Sequence, residues 1–170
     1  MRPFTAALVL ASSLAAQNPP RPAPCASPEH HQFDFWLGEW EVRDPEGHLA
    51  GRNRIESIAC GLQEHWSDLK GGTGTSLNAY NAATKRWHQT WVGGGGGVIL
   101  LDGGLVDGRM VLEGRNATAK GPVLDRITWS PEGRDAQGRD RVRQLWEQSR
   151  DEGRTWTVAF DGRYTRIVKP

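Results

Sequence analysis

From Leu37 onward, apolar residues recur at alternate positions in short runs, and turn signals separate the runs. The runs cover residues 38–43, 52–58, 62–67, 75–81, 86–92, 98–105, 110–113, 126–130, 141–149 and 155–165. Among the turn signals are Asp44-Pro45-Glu46-Gly47, Gly71-Gly72-Thr73-Gly74, Asn81-Ala82-Ala83-Thr84, Asp107-Gly108 and Asp151-Glu152-Gly153. A period of two, with gaps too short for a helix, is the pattern of antiparallel hairpins in series. The expected fold is all-β, an antiparallel up-and-down meander of about ten strands. Closure into a barrel is favoured over two packed sheets because no long crossover interrupts the series.

One stretch carries a different period. Phe33, Trp36, Leu37 and Trp40 stand at i, i+3, i+4 and i+7, one face of a helix. Pro28 suits the first turn and Gly38 the end. This predicts a short N-terminal helical plug that covers one end of the barrel.

Alternation also assigns faces. Trp87, Gln89 and Trp91 share one face, with Arg86, His88 and Thr90 on the other. Val142, Gln144, Trp146 and Gln148 oppose Arg143, Leu145 and Glu147, and Trp156, Val158 and Phe160 oppose Thr157 and Asp161. Charges belong in water, so the tryptophan faces point inward. Between residues 75 and 81 the pattern is contested: Leu77 and Ala79 compete with Ser76, Asn78 and Tyr80 for the inside.

Composition supports this picture and narrows the partners. In 170 residues there are 21 Gly, 10 Pro and 8 Trp, as expected for many tight turns around an aromatic interior. Lys and Arg number 21 against 20 Asp and Glu, a formal charge of +1, so no basic field is present to attract nucleic acid. The first residues change the address. Arg2, an apolar stretch from Phe4 to Leu14 and small residues after it have the layout of a secretory signal peptide over residues 1–16. Cleavage is expected at Ser13-Leu14-Ala15 or Leu14-Ala15-Ala16, and the stretch is too short to span a bilayer. The expected product is periplasmic or secreted, with no membrane insertion after cleavage. A proline-rich leader follows over 17–31, then a single barrel domain over 32–170. Export makes Cys25 and Cys60 a disulfide in preference to a thiol site, and neither has CxxC spacing.

Several segments bear a resemblance. Phe33-Asp34-Phe35-Trp36-Leu37-Gly38-Glu39-Trp40-Glu41-Val42 resembles the start of an uncharacterised family of exported bacterial proteins with calycin- or lipocalin-like barrels. Further matching segments are Gly74-Thr75-Ser76-Leu77-Asn78, Trp87-His88-Gln89-Thr90-Trp91-Val92 and Arg143-Gln144-Leu145-Trp146-Glu147-Gln148-Ser149. The resemblance implies a calycin-like barrel and carries no activity with it. Gly38 and Trp40 also resemble the Gly-x-Trp of true lipocalins. The related nitrobindin-like barrels hold haem through a late histidine. Here all five histidines (His30, His31, His48, His65 and His88) precede residue 89, so the resemblance does not extend to haem. Ser149-x-Asp151-x-Gly153-x-Thr155-Trp156 matches the sialidase Asp-box, a structural hairpin device. One copy predicts a rigid hairpin and no glycosidase.

The candidate chemistry is sparse. No phosphate loop, nucleophile elbow or metal-ligand spacing occurs, and no cofactor is expected. Glu64, on the face of Trp66, is an inward carboxyl able to act as general acid or base; its neighbour His65 points the other way. Five consecutive glycines, 93–97, form either a mobile loop at the barrel mouth or a plain hairpin loop. The main constellation is a lining of Asn78, Tyr80, Trp87, Gln89, Trp91, Gln144 and Trp146. Aromatic walls with a few amides suit a small, partly apolar ligand. The sequence thus points to an exported ligand-binding barrel. The alternatives are an enzyme using Glu64 in the same cavity, and a structural or partner-binding module with a filled core.

Overall fold

The computed structural model describes residues 23–168; the expected signal peptide and residues 17–22 of the leader lie outside the described residues. Ten strands follow in order: β1 (Gly38–Arg43), β2 (Leu49–Ile58), β3 (Gly61–Asp68), β4 (Thr73–Asn81), β5 (Arg86–Gly93), β6 (Val98–Val106), β7 (Arg109–Thr118), β8 (Gly121–Arg134), β9 (Asp140–Ser149) and β10 (Thr157–Arg166). Each pairs antiparallel with the next, and β1 pairs with β10 to close the barrel. Closure leaves no free edge that could pair with another chain.

The plug is present in a different form. Two 3-10 turns, Pro28–His31 and Asp34–Trp36, replace the single helix, and Trp40 belongs to β1. Gly38 stops helical propagation: its φ of 124° is open to glycine alone at low cost, and the chain turns there into the β1 ladder. The helical spacing of Phe33, Trp36 and Trp40 nevertheless brings them together. All three are fully buried, with Phe33 stacked on Trp36 (5.0 Å between ring centroids) and edge-on to Trp129 and Trp87. Burying aromatic area on this scale is a large part of the core's hydrophobic stabilisation. The plug is tied down covalently by the Cys25–Cys60 disulfide, which reaches the turn between β2 and β3. Gln32 adds a hydrogen bond, accepting the Trp87 indole N–H at 3.2 Å.

The inner faces follow the alternation closely, with three departures. The runs 110–113 and 126–130 grow into the longest hairpin, β7 and β8, and carry Asn116 and Asp125 inward. In β4 the polar set wins: Ser76 and Asn78 are buried while Leu77 is 53% exposed. In β10 the expected face of Trp156, Val158 and Phe160 is split. The register slips between Val158 and Phe160, so Val158 opposes outward Glu147 and Phe160 opposes inward Trp146. That extra residue in β10 flips everything before it to the other side. Trp156 therefore lies outside, beneath the Arg126 guanidinium at 4.0 Å.

The Asp-box hairpin forms as a hydrogen-bonded unit. Asp151 accepts the Thr155 N–H and hydroxyl, and Ser149 Oγ accepts the Gly153 N–H. The two Thr155 donors, with the Ser149 hydroxyl, hold the Asp151 carboxyl down at about 2. The glycine run forms a closed turn between β5 and β6, where Gly93 N–H bonds Gly97 O and Gly96 N–H bonds Gly93 O.

Candidate functional site

The eight tryptophans divide by depth. Trp36, Trp40, Trp87 and Trp129 fill the plug end. Trp66, Trp91 and Trp146 line a cavity of about 460 Å³, and Trp156 stays outside. The turns beside Cys60 and between Tyr80 and Trp87 lie at the plug. The cavity reaches Leu69 and Lys70 in the turn between β3 and β4, at the opposite end of those strands. There Leu69 is exposed, so the cavity meets solvent. Its walls are apolar, with Ile99, Ile127 and Phe160 completing the tryptophans; Trp66 and Phe160 meet edge to face at 5.9 Å.

Four polar side chains on facing strands form the cavity's inner part: Glu64, Gln89, Gln144 and Tyr164. Glu64 pairs across the sheet with Ile55 and Ser76, both inward positions, so the ladder delivers Ser76 to its carboxyl. Ser76 Oγ donates to Glu64 Oε2 at 2.7 Å, and Asn53 Nδ2 donates to Oε1 at 2.6 Å. Behind them, Asn78 Nδ2 donates to Ser76 Oγ at 2.9 Å, and Gln89 Nε2 donates to Asn78 Oδ1 at 2.8 Å. Asn53 Nδ2 also reaches the Tyr164 hydroxyl at 3.3 Å, and that hydroxyl donates to Gln144 Oε1 at 2.5 Å.

Glu64 is 4% exposed and has no ion-pair partner among the described residues. Burial in this setting pushes its carboxyl up from the ordinary 4.5 to about 7, against the pull of the Ser76 and Asn53 donors. Burial and the nearby Glu64 charge together raise the Tyr164 phenol well above its usual range. A carboxyl that titrates near neutrality in an aromatic cavity can take or give a proton, and can pair with a cation.

A second network shapes the wall. Asp125, 1% exposed, accepts the Trp146 indole N–H at 2.8 Å and the Gln148 amide at 2.9 Å through Oδ1. Its Oδ2 accepts from Asn116 Nδ2 at 2.9 Å. This carboxylate orients Trp146 without lining the cavity itself.

Of the residues singled out in the sequence, Glu64, Gln89, Trp91, Gln144 and Trp146 line the cavity. Asn78, Tyr80 and Trp87 do not. Asn78 lies behind Ser76 and Gln89, bonded to both. Tyr80 packs against His30 and Trp87 at the plug end, and Trp87 is fully enclosed there. They share faces with the lining residues but sit nearer the plug. Asn53, Ser76, Tyr164 and Asp125 complete the site and were not singled out. Ser76 stood beside Asn78 in the contested run, whereas Asp125 fell just before the run at 126. Among the described residues no group of His, Cys, Asp and Glu is arranged to hold a metal ion, and no helix is long and apolar enough to cross a membrane. No protein-family model and no curated protein matches this chain. The class is therefore set by fold and site: a closed ten-stranded antiparallel barrel, plugged at one end and with an aromatic cavity at the other.

Proposed function

We propose that this protein is an exported barrel that binds a small, partly apolar molecule in its interior. The observation that carries the reading is the combination of a roughly 460 Å³ cavity, walled by Trp66, Trp91 and Trp146, with a cluster of polar groups at its inner part. That is the composition of sites that bury an apolar body and orient it through a few polar atoms. Export is supported by the signal-like residues 1–16 and by the Cys25–Cys60 disulfide, a bond that persists in oxidising compartments. The resemblance to exported calycin- or lipocalin-like barrels agrees with both.

The test is native mass spectrometry of the mature protein purified from an exporting host, followed by the denatured mass of the same sample. A reproducible extra mass lost on denaturation supports cargo. An apo mass, joined to no change in tryptophan emission with neutral apolar fluorophores, overturns the reading.

A second reading, catalysis in the same cavity, is favoured by one observation: Glu64 lines the cavity while 4% exposed, and this burial pushes its carboxyl up to about 7. An activity whose pH profile vanishes in Glu64→Gln, with the fold intact, supports it. Full activity of that variant on every substrate found removes Glu64 from the chemistry.

A further inference from the structure

We infer that the ligand is an organic cation, a protonated amine or quaternary ammonium on an aromatic or aliphatic body, with Glu64 as its counter-ion. The inference rests on the binding reading above and names the chemistry of the occupant.

The hydrogen-bond directions carry it. Ser76 Oγ receives the amides of Asn78 and Gln89, which use both of its acceptor positions, and its single proton goes to Glu64 Oε2. Asn53 Nδ2 supplies Oε1 and also reaches Tyr164, whose own proton goes to Gln144 Oε1. Both hydrogen-bond partners of the Glu64 carboxyl donate to it. The pocket is therefore organised around an acceptor, the ionised carboxylate, in the way donors stabilise a charged group. No Lys, Arg or His pairs with that charge among the described residues, although arginines form ion pairs over the outer faces of β8, β9 and β10. Buried carboxylates are rarely left without a counter-charge. The cavity supplies the place for one.

The walls fit a cation as well. Indole faces attract ammonium groups through the ring quadrupole, most strongly when the site excludes water. Trp66 stands two residues beyond Glu64 on the same face of β3, Trp91 pairs with Ser76 from β5, and Phe160 and Tyr164 line the cavity from β10. An anionic ligand meets an unpaired carboxylate. A neutral one leaves that carboxylate without a partner, or protonated against two donors.

The pH behaviour follows. The group facing Glu64 from β10 is Tyr164, which stays protonated at neutral pH; from β2, β4, β5 and β9 come the neutral Asn53, Ser76, Gln89 and Gln144. At the rim stand Asp68 and Lys70, of opposite charge. Burial pushes Glu64 up to about 7, so it is the buried group facing the cation whose charge changes there. Cation affinity is expected to fall by about tenfold per pH unit below 7, as one proton competes for the carboxylate.

The experiment uses the mature protein, N-phenyl-1-naphthylamine as a neutral fluorescent occupant, and two competitors of one shape, phenethylamine and 2-phenylethanol. Support is displacement by the amine at concentrations about ten- to hundredfold lower than the alcohol at pH 8. That preference should disappear at pH 5 and in Glu64→Gln, whose retained fluorophore binding shows an intact cavity. Fluorophore binding with equal displacement by amine and alcohol, or an amine affinity indifferent to pH and to Glu64→Gln, overturns the cation inference and leaves the binding reading standing. No fluorophore binding and no effect of either competitor on tryptophan emission overturns both.

Discussion

Asp125 Oδ1 accepts the indole N–H of Trp146 at 2.8 Å across the β8–β9 pair, so a buried carboxylate sets the angle of a cavity wall. The same carboxyl also collects the Gln148 and Asn116 amides. Asp125→Ala strands three donors at once, the buried Asn116 amide and the half-buried Trp146 and Gln148 groups. The expected cost is about 2–4 kcal/mol in urea unfolding, with the Trp146 wall no longer oriented and cavity ligands weakened. Asp125→Asn keeps the shape but turns half of the acceptor into a donor, and it should be intermediate. A loss below about 0.5 kcal/mol for the alanine variant contradicts this role.

Glu64 makes the barrel's stability depend on pH in the direction opposite to most carboxylates. Its folded carboxyl titrates near 7, above the ordinary 4.5, so the folded state binds the proton more tightly than the unfolded state. Its contribution to stability is full below about pH 4.5 and is lost as pH rises through 7. The span corresponds to roughly 3 kcal/mol. Glu64→Gln cannot titrate. The stability of the variant relative to the parent should therefore climb between pH 5 and 8 by up to about that amount, measured by denaturant unfolding at each pH. A difference that stays flat across this range contradicts a raised Glu64.

The period of two was enough to read the barrel, the inner faces of β5 and β9, and the position of Glu64 beside Trp66, because one buried face forces one register. The rest depended on contacts that no single strand displays. The slip between Val158 and Phe160 is a property of the β9–β10 pairing, and β10 alone alternates without a break. Asp125 and Asn116 are polar where an inner face is expected to be apolar, so the hydrophobic runs ended early and the β7–β8 hairpin was read as shorter than it is. Trp87 and Trp91 share a face four residues apart, yet one fills the plug end and the other lines the cavity. Depth along the barrel depends on where Phe33 and Trp36 dock, which β5 does not encode.

Gly74 limits how the cavity is walled. A Cβ at this position would overlap the ring of Trp91, which lies over the bare backbone there. Gly74→Ala must therefore displace Trp91 or shift β4, with an expected destabilisation of about 1–3 kcal/mol. Trp91 can yield toward the open cavity, so binding of a neutral fluorophore should weaken more than stability suggests. Gly95→Ala, whose Cβ meets nothing nearby, is the control and should leave binding unchanged. Equal binding by both variants contradicts the close approach.

Cys25 and Cys60 are 35 residues apart and join the segment before the plug to the β2–β3 turn. The ten-stranded ladder closes through β1 and β10 without them. Removing the bond, as Cys25→Ser with Cys60→Ser, frees the unfolded chain and loosens the plug's anchor, at an expected cost of about 2–4 kcal/mol. The loss should be uneven. Amides at Gln32, Trp36 and Leu37, whose hydrogen bonds hold the 3-10 turns, should exchange faster relative to the β8–β9 ladder, which retains its pairing. Hydrogen exchange resolved by peptide measures this directly. Uniform acceleration across plug and ladder would show that the disulfide acts on global stability alone, and the anchoring role assigned to it would be withdrawn.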